Sequence, residues 1–168
     1  MYYHTLDEMF NKKDEYNFIV DGKCTGKTTA MTGFLIKQFK ENGRMFVRLF
    51  RSKIDLMWSR DLWFHDYGDS DHITFDGKNY YLNGELFGET AVISLVEKYN
   101  YNDFNDKIYY AVFDDYNCTN IPCYLENEVN KFKDILKIIF KNREKQVFLI
   151  GNNDSYILEN DPYYLYLR

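Results

Sequence analysis

The order of segments around residues 17–31, NFIVDGKCTGKTTAM, constrains the fold more than any other feature of the sequence. A short apolar run, typical of a buried strand, ends at a loop that contains Gly22 and Gly26. The next segment predicts a helix that ends near Gly43, because glycine is common just past helix ends. One face of that helix carries the apolar residues Met31, Phe34, Leu35 and Phe39. A strand, a glycine loop and an amphipathic helix in this order favour a parallel α/β sheet.

Apolar runs continue to alternate with helical segments along the chain. Three further core strands are predicted, in the stretches RMFVRLF, KIYYAVFDDYN and KQVFLIGNN. Two further helices are predicted, in SKIDLMWSRDLWFHDYG, with Ser52 as N-cap and Gly68 after its end, and in LENEVNKFKDILKIIFKNRE. The terminal stretch DPYYLYLR predicts a fifth strand. We therefore expect an α/β fold with a mostly parallel sheet and helices on both faces.

The stretch HITFDGKNYYLNGELFGETAVISL interrupts this alternation with short β-rich runs. Its dipeptides Asp76-Gly77 and Asn83-Gly84 favour tight hairpin turns, so we predict an antiparallel β-hairpin inserted in the middle of the chain. The chain has no linker, repeat or low-complexity tract, and 168 residues suit one hydrophobic core. We expect residues 1–168 to form a single domain.

The charge and the cysteines limit the classes of partner. A net charge of −5 counts against a self-sufficient DNA-binding domain, so any DNA contact must come from a local patch or from several copies together. Cys24, Cys118 and Cys123 lack metal-ligand spacing, which favours a reduced cytoplasmic protein without structural zinc. The N-terminus does not resemble a signal peptide, and no apolar run has the length of a membrane-crossing helix.

The glycine loop matches most of the phosphate-loop pattern G-x-x-x-x-G-K-[ST]. Gly26 lets backbone N–H groups approach an anion, Lys27 places a positive charge against the outer phosphates, and Thr28 offers a hydroxyl to Mg²⁺. Asp21 occupies the first glycine position, where a carboxylate weakens phosphate binding unless it points away or meets Lys23. An ordinary strand-to-helix turn is the alternative, but the strand, loop and helix together favour nucleotide binding.

A second acidic element ends the strand in IYYAVFDDYN. The carboxyl ends of parallel strands form the ligand-binding edge of a sheet, and Asp114 and Asp115 lie there. ATP hydrolysis needs a carboxylate for Mg²⁺ and a group that orients water, so Asp114 is the metal candidate and Asp115 the catalytic one. A solvated turn is the alternative interpretation. Glu126 and Glu128 could assist, although first-turn helix residues are the simpler interpretation.

Two further side chains are candidates for the same chemistry. Asn152 follows the strand in KQVFLIGNN at the same sheet edge, where an amide can sense a terminal phosphate, orient water or simply form a turn. Arg143, just after the long helix, is a candidate arginine finger for the nucleotide of a neighbouring subunit. A solvated charge between helix and strand is the alternative for Arg143.

With these elements in order, the chain resembles the ATPase domain of the genome-packaging motor of small short-tailed phages, the phi 29-like type. The resemblance rests on NFIV, GKTTAM, MFVRLFRSKIDL, YYLNGELFG, VFDDY, FKNRE and NDPYYLYL, nearly end to end. It implies a P-loop NTPase of the additional-strand, conserved-glutamate type, which uses ATP and Mg²⁺ to move double-stranded DNA. It also implies a homo-oligomeric ring, a pentamer in the full motor, with a procapsid portal and a packaging RNA as partners. The implied location is the host bacterial cytoplasm, at the procapsid vertex and not in a membrane.

The same resemblance implies roles for individual residues. The nucleotide would be bound by Gly22, Lys23, Cys24, Thr25, Gly26, Lys27, Thr28 and Thr29. The metal ligands would be Thr28 and Asp114. The catalytic group would include Asp115 in place of the family's glutamate, Asn152 as a polar sensor and Arg143 as the trans-acting arginine.

The resemblance also implies DNA contacts, and the chain departs from the family pattern in some respects. Lys98 matches a segment that would face the central channel, and Lys53 is a second candidate for the same channel. Both would contact DNA phosphates independently of sequence. Such motors continue into a C-terminal nuclease-like domain, whereas this chain stops at Arg168. Asp21 and Asp115 alter two catalytic motifs, and Asp is one methylene shorter than Glu, so these departures indicate a slow ATPase or an inactive one.

Two other functions stay open at this point. One is a catalytically weak or inactive homologue that binds nucleotide or interferes as a subunit. The other, less favoured, is a small nucleoside or nucleotide kinase with arginines around its acceptor. The candidate arginines are Arg48, Arg51 and Arg60.

Overall fold

The computed structural model describes residues 14–22, 26–59, 63–64, 71–117, 124–152 and 161–167. Within these ranges the strands are β1 (Tyr16–Asp21), β2 (Met45–Phe50), β3 (Ile73–Phe75), β4 (Asn79–Leu82), β5 (Glu85–Val92), β6 (Ile108–Asp114) and β7 (Gln146–Asn152). The helices are α1 (Lys27–Asn42), α2 (Lys53–Ser59), α3 (Glu128–Phe140) and α4 (Pro162–Leu167), with a kinked 3₁₀ segment at Ile93–Lys98.

The strands form one sheet in the order β1-β7-β6-β2-β5-β4-β3. The first five strands in this order pair in parallel, and β4 and β3 pair antiparallel, which confirms the mostly parallel sheet. The late strand β7 lies between β1, which leads into the glycine loop, and β6, which ends in the acidic pair. Because the three strands are parallel, the carboxyl ends of β1, β7 and β6 meet at one edge of the sheet.

The predicted hairpin turns are confirmed. Both residues of the Asn83-Gly84 turn have positive φ, 51° and 85°, and Gly77 has a φ of 100°. These backbone conformations explain why Asn and Gly occupy the turns. Strand β5 also pairs in parallel with β2, so the inserted segment extends the central sheet rather than standing beside it.

Helices cover both faces of the sheet, as predicted, and each face has its own core. On one face α1 packs against the strands through buried residues, namely Met31, Leu35 and Ile36 with Phe46 and Phe148. On the other face α3 does the same, with Phe132, Ile135, Leu136 and Ile139 against Val47 and Phe113. Burying a side chain of this kind stabilises the fold by about 1.5–3 kcal/mol. The two cores fix the helices, and with them the loops at the sheet edge.

The helix predicted to run from Ser52 toward Gly68 is shorter in the structure. The N-cap is confirmed, because the N–H of Asp55 donates to Ser52 Oγ at 3.3 Å and the N–H of Ser52 donates to the Asp55 carboxylate at 2.8 Å. Trp63 and Phe64 lie in a turn, and Gly68 is outside the described residues. Across the described ranges, every helix is too short or too polar to cross a bilayer.

The predicted fifth strand in DPYYLYLR is wrong, because this stretch forms helix α4. Asp161 caps it, since its Oδ1 accepts from the N–H groups of Tyr163 at 2.8 Å and Tyr164 at 3.1 Å. Pro162 occupies the first helical position, where it needs no hydrogen-bond donor. The aromatic residues suggested a strand, but the Asp-Pro pair at the start determines the helix.

Candidate functional site

The loop between β1 and α1 presents a helix start to solvent at the sheet edge. Gly26 is the N-cap of α1 with φ 79° and ψ 13°, a left-handed conformation that favours glycine. Glycine supplies no capping side chain, and the first turn of this 16-residue helix contains no acidic residue. The positive end of the helix dipole therefore faces the loop without a carboxylate from its own first turn, which suits an incoming anion.

Lys27 lies over this loop. Its Nζ donates to the carbonyl oxygen of Gly22 at 2.6 Å, which holds the ammonium on the loop side of the helix. The predicted binding residues Lys23, Cys24 and Thr25 lie outside the described residues, as does the side chain of Asp21. The phosphate-binding role of these residues stays a prediction.

Thr28 and Asp114 are in direct contact. Thr28 Oγ1 donates to Asp114 Oδ2 at 3.0 Å, although the two residues are 86 positions apart. Asp114 Oδ2 also accepts from Trp63 Nε1 at 2.8 Å, which fixes the carboxylate. A hydroxyl and a carboxylate side by side are hard oxygen donors of the kind that Mg²⁺ takes beside phosphate and water. The two predicted metal ligands are therefore together and fit such an ion.

Asp115 begins a turn beside a cleft. It has a φ of 55°, in the left-handed region that aspartate tolerates better than most residues. Desolvation, followed by the negative charge of Asp114, raises the pKa of Asp115 above its ordinary value, and the charges of Arg48, Lys27 and Arg51 oppose this. The cleft has a volume of about 290 Å³. Its lining consists of Arg48, Leu49, Phe50, Arg51, Asp55, Trp58, Phe113, Asp114 and Asp115.

Asn152 is fixed at the same edge by a neighbour that the sequence did not suggest. Asn117 Nδ2 donates to the carbonyl of Asn152 at 2.9 Å, and the N–H of Asn152 donates to Asn117 Oδ1 at 3.1 Å. Gly151 permits this contact, because a Cβ there would lie 2.6 Å from Asn117 Oδ1. Asn152 also pairs in register with Asp21 of β1. The structure thus joins the turn after β6 to the end of β7.

Arg143 lies away from this edge. It precedes β7, and its Nε and Nη2 donate to the carbonyls of Phe140 at 3.0 Å and Ile139 at 3.1 Å, at the end of α3. Its Nη1 donates to the carbonyl of Asp106, which precedes β6. Arg143 therefore lies at the amino-terminal edge of β6 and β7, opposite the edge that carries Asp114, and its proposed role on a nucleotide stays a prediction.

Lys53 and Lys98 are both exposed on segments that follow parallel strands. Lys53 is the first residue of α2, after β2, and Lys98 ends the 3₁₀ segment after β5. The two segments are tied together, because the N–H of Ser94 donates to the carbonyl of Arg51 at 3.1 Å. Both lysines therefore lie beyond the carboxyl ends of neighbouring strands.

Trp63 and Asn117 were not assigned to this site from the sequence, and Arg48 was named there only as a candidate acceptor arginine of a kinase. Trp63 and Asn117 hold Asp114 and Asn152 through long-range bonds that no local pattern encodes. Arg48 is a charged residue within the apolar run MFVRLF, and such a break in a buried strand is the one signal that could have marked it. It is 7% exposed, and its guanidinium stacks on the rings of Phe50 and Trp63.

Comparison with known proteins gives consistent results. The family of podovirus DNA encapsidation proteins (Gp16) matches residues 1–168. The chain is 25% identical over 156 residues to the DNA packaging proteins of Bacillus phages phi29 and PZA, covering 90% of this chain and 46% of each relative. The DNA packaging protein of Bacillus phage B103 is 23% identical over 154 residues. The chain spans about half the length of these curated relatives.

Solved structures share the fold. The N-terminal domain of the DNA packaging ATPase from bacteriophage phi29 matches with a TM-score of 0.84 and 22% identity, over 98% of this chain and 85% of that one. A chain of the phi29 viral genome packaging motor assembly matches with a TM-score of 0.83 and 23% identity, over 98% and 50%. At these identities the likeness establishes the fold.

Proposed function

Because the chain belongs to the podovirus DNA encapsidation protein family, we propose that it is an ATP-binding and ATP-hydrolysing domain of a phage DNA-packaging motor. The observation that carries the proposal is the 3.0 Å hydrogen bond between Thr28 and Asp114, which brings the glycine loop to the acidic strand end. The position of β7 between β1 and β6 supports a P-loop fold of the additional-strand type, and residues 1–168 would be its ATPase domain.

In this proposal the loop residues Gly22 to Thr29 bind the phosphates of ATP. Gly26 and the start of α1 offer N–H groups and a positive dipole end, and Lys27 moves its ammonium from Gly22 to the outer phosphates. Thr28 and Asp114 hold Mg²⁺, which when bound neutralises charge on the phosphates. Trp63 keeps the Asp114 carboxylate in place.

Asp115 is the proposed base that orients the attacking water. It lines the same cleft as Asp114, beside the proposed metal site. Asn152, held by Asn117, senses the terminal phosphate from the end of β7. Because an aspartate reaches less far than a glutamate, we expect slow turnover.

The proposed motor is a homo-oligomeric ring, a pentamer, in which Arg143 acts on the nucleotide of the next subunit. To do so, its guanidinium must exchange the carbonyls at the end of α3 for phosphate. Lys53 and Lys98 contact double-stranded DNA in the channel, where these lysines from several subunits together form a local positive surface despite the net charge of −5 on each chain. The ring acts with the portal and a packaging RNA at the procapsid vertex in the host cytoplasm.

Steady-state ATP turnover of the purified chain tests the proposal. Lys27→Ala and Asp114→Asn should each lower kcat by at least about a hundredfold, because each removes charge stabilisation from the transferring phosphate. Thermal unfolding of each variant verifies that the fold persists. Unchanged turnover in both folded variants would refute the site.

A catalytically inactive homologue that binds nucleotide is the second candidate, favoured by the shortened acid at Asp115. Calorimetric titration with ATP and Mg²⁺, combined with turnover of Asp115→Glu, separates the two candidates. Binding without turnover in the natural chain, with turnover gained in Asp115→Glu, supports the inactive homologue. Turnover in the natural chain that is lost in Asp115→Asn supports the enzyme.

A further inference from the structure

Arg51 connects the end of β2 to the turn that carries Asp115. Its Nη2 donates to the carbonyl oxygen of Tyr116 at 2.6 Å, and its Nε donates to both carboxylate oxygens of Glu128, at 2.8 and 3.0 Å. The guanidinium carbon also lies over the rings of Phe113 and Tyr124, 5.2 and 5.3 Å from their centroids. A planar fork with several donors can make all these contacts at once, whereas a lysine ammonium cannot.

Glu128 fixes the guanidinium in turn. Its side chain is 2% exposed, and it accepts from the N–H of Leu125 at 2.6 Å and from the hydroxyl of Tyr163 at 2.7 Å. A buried carboxylate is stable only when a cation and hydrogen-bond donors surround it. Glu128 therefore begins α3 as the anchor of Arg51, rather than as an ordinary first-turn residue.

The bond to Tyr116 fixes the backbone immediately after Asp115. The N–H of Tyr116 donates to the carbonyl of Ile150 at 3.2 Å, so Arg51 and β7 together hold both polar groups of the Tyr116 main chain. On its other side Asp115 follows β6, whose last residue, Asp114, pairs in register with Ile150 of β7. Asp115 thus has its left-handed conformation imposed from both neighbours.

We propose that Arg51 is a positioning residue for catalysis: through the carbonyl of Tyr116 it sets the direction in which Asp115 presents its carboxylate. This inference rests on the proposed function, because it takes Asp115 as the group that orients the attacking water. Arg51 acts on the backbone of the turn, and Glu128 holds it there. Its loss should therefore lower kcat and leave the KM for ATP nearly unchanged.

The simple variant Arg51→Ala would leave Glu128 buried without its cation, and the chain could unfold for that reason alone. The double variant Arg51→Met with Glu128→Leu removes both charges and fills the space with apolar atoms, a replacement that buried ion pairs often tolerate. Arg51→Lys keeps the charge but loses the fork. Tyr163→Phe is the matched control, because it removes a bond to Glu128 and leaves the Arg51–Tyr116 bond in place.

The experiment measures kcat, the KM for ATP and the melting temperature of these variants beside Lys27→Ala. We expect the double variant to stay folded and to lose about tenfold to a hundredfold in kcat with the KM within about twofold, as misplaced catalytic groups do. The kcat of Arg51→Lys should lie between that of the double variant and that of the natural chain. Tyr163→Phe should lower the melting temperature with kcat retained.

Two results would overturn the inference. If the folded double variant keeps the kcat of the natural chain, or if kcat follows melting temperature across all variants including Tyr163→Phe, Arg51 is structural only. Either result leaves the proposed function intact as long as Lys27→Ala abolishes turnover. Turnover that survives in Lys27→Ala removes the proposed function instead.

Discussion

The hydroxyl of Thr28 and the carboxylate of Asp114 lie 3.0 Å apart, at the start of one helix and at the end of one strand. The two residues belong to segments that are 86 positions apart in the sequence. The contact exists because β7 separates β1 from β6 by one strand width and α1 packs on the sheet above them. It is the feature on which metal binding should depend.

Replacing Thr28 by valine should weaken Mg²⁺ binding and turnover. Valine has nearly the same shape but no hydroxyl, so it removes one metal ligand and the bond that orients Asp114. We expect the Mg²⁺ concentration for half-maximal turnover to rise by about 10- to 100-fold. This concentration is measured by following ATP turnover at saturating ATP while Mg²⁺ is titrated.

Thr32→Val is the matched control, one helical turn farther along α1. The Thr32 hydroxyl is buried and donates to the carbonyl of Thr29 at 2.9 Å, so its loss should cost about 1 kcal/mol of folding free energy. Its Mg²⁺ dependence should match that of the natural chain. Equal effects of the two variants would mean that Thr28 supports only the helix.

Gly151→Ala should disturb the turn after β6. An added Cβ would lie 2.6 Å from Asn117 Oδ1 and from a ring carbon of Tyr116, so the turn that follows Asp115 must shift. Overpacking of this kind costs about 1–3 kcal/mol, and we expect turnover to fall as well. Chemical unfolding and steady-state kinetics measure the two effects.

Gly43→Ala serves as its control at the far end of α1. Gly43 has a φ of 65°, so alanine there is strained and should destabilise by about 1 kcal/mol with turnover unchanged. A Gly151→Ala variant whose kcat equals that of Gly43→Ala would show that the turn tolerates displacement.

The sequence predicted those parts of the site that depend on local patterns. The glycine loop before α1, the polar ends of β6 and β7, and the hairpin turns all follow from residue types with strong local preferences. The sheet edge then brings Asp114 and Asn152 together because parallel strands end on the same side.

The sequence did not predict the residues that hold the site in place. The sequence named Arg51 only as a candidate acceptor arginine and Glu128 only as a catalytic helper or a first-turn helix residue. The two residues are 77 positions apart, and no local pattern indicates their contact. Trp63 reaches Asp114 from a turn that had been assigned to a helix. The C-terminal helix was missed because alternating aromatic residues suit a strand, whereas Asp161 and Pro162 start a helix. Long-range partners determine the contacts of Arg51 and Trp63, and a single sequence does not specify them, whereas the start of the C-terminal helix is a local signal.

Glu89 should make the stability of the chain depend on pH. It is 5% exposed on β5, and burial raises the pKa of its carboxyl, while the N–H of Asn105 and the charge of Lys78 lower it less. Within the described residues its Oε2 has no hydrogen-bond partner. A carboxyl whose folded pKa is raised stabilises the fold at low pH, and that contribution is lost as pH rises through the folded pKa.

Glu89→Gln should therefore unfold at a higher temperature than the natural chain at pH 7, with the difference shrinking as the pH approaches 4. Thermal unfolding at both pH values measures this. Glu85→Gln, an exposed glutamate on the same strand, reports what the chemical change alone does. The raised pKa of Glu89 would be contradicted if the melting temperature of Glu89→Gln, relative to that of the natural chain, were lower at pH 7 than at pH 4.

Lys53→Ala and Lys98→Ala should weaken DNA binding without sequence preference. Each lysine is exposed beyond a strand end, and each phosphate contact releases a counterion. The slope of log affinity against log salt should become shallower by about 1 for each lysine. Fluorescence anisotropy with labelled duplex across a salt series measures it. Lys137→Ala is the control, since Lys137 pairs with Asp134 on the surface of α3. A similar change of slope in Lys137→Ala would mean that the slope depends only on the overall charge.

Arg143→Ala should have two separable effects. The guanidinium donates to the carbonyls of Phe140 and Ile139 at the end of α3, so its loss should destabilise the fold by about 1–2 kcal/mol. If Arg143 also acts on the neighbouring nucleotide, Arg143→Ala subunits lose turnover while keeping an intact loop and Asp114. Subunits with Lys27→Ala lose turnover but still offer Arg143.

Mixing these two inactive variants should restore turnover, because a site built from the loop of one and the arginine of the other is complete. If the two variants assemble at random in a ring, about one site in four has both an intact loop and a neighbour that keeps Arg143. Mixing Lys27→Ala with Asp114→Asn is the control, since both defects lie in the same half of the site and no pairing repairs them. Turnover that stays absent in the first mixture, at concentrations where the natural chain assembles, would limit Arg143 to holding the end of α3.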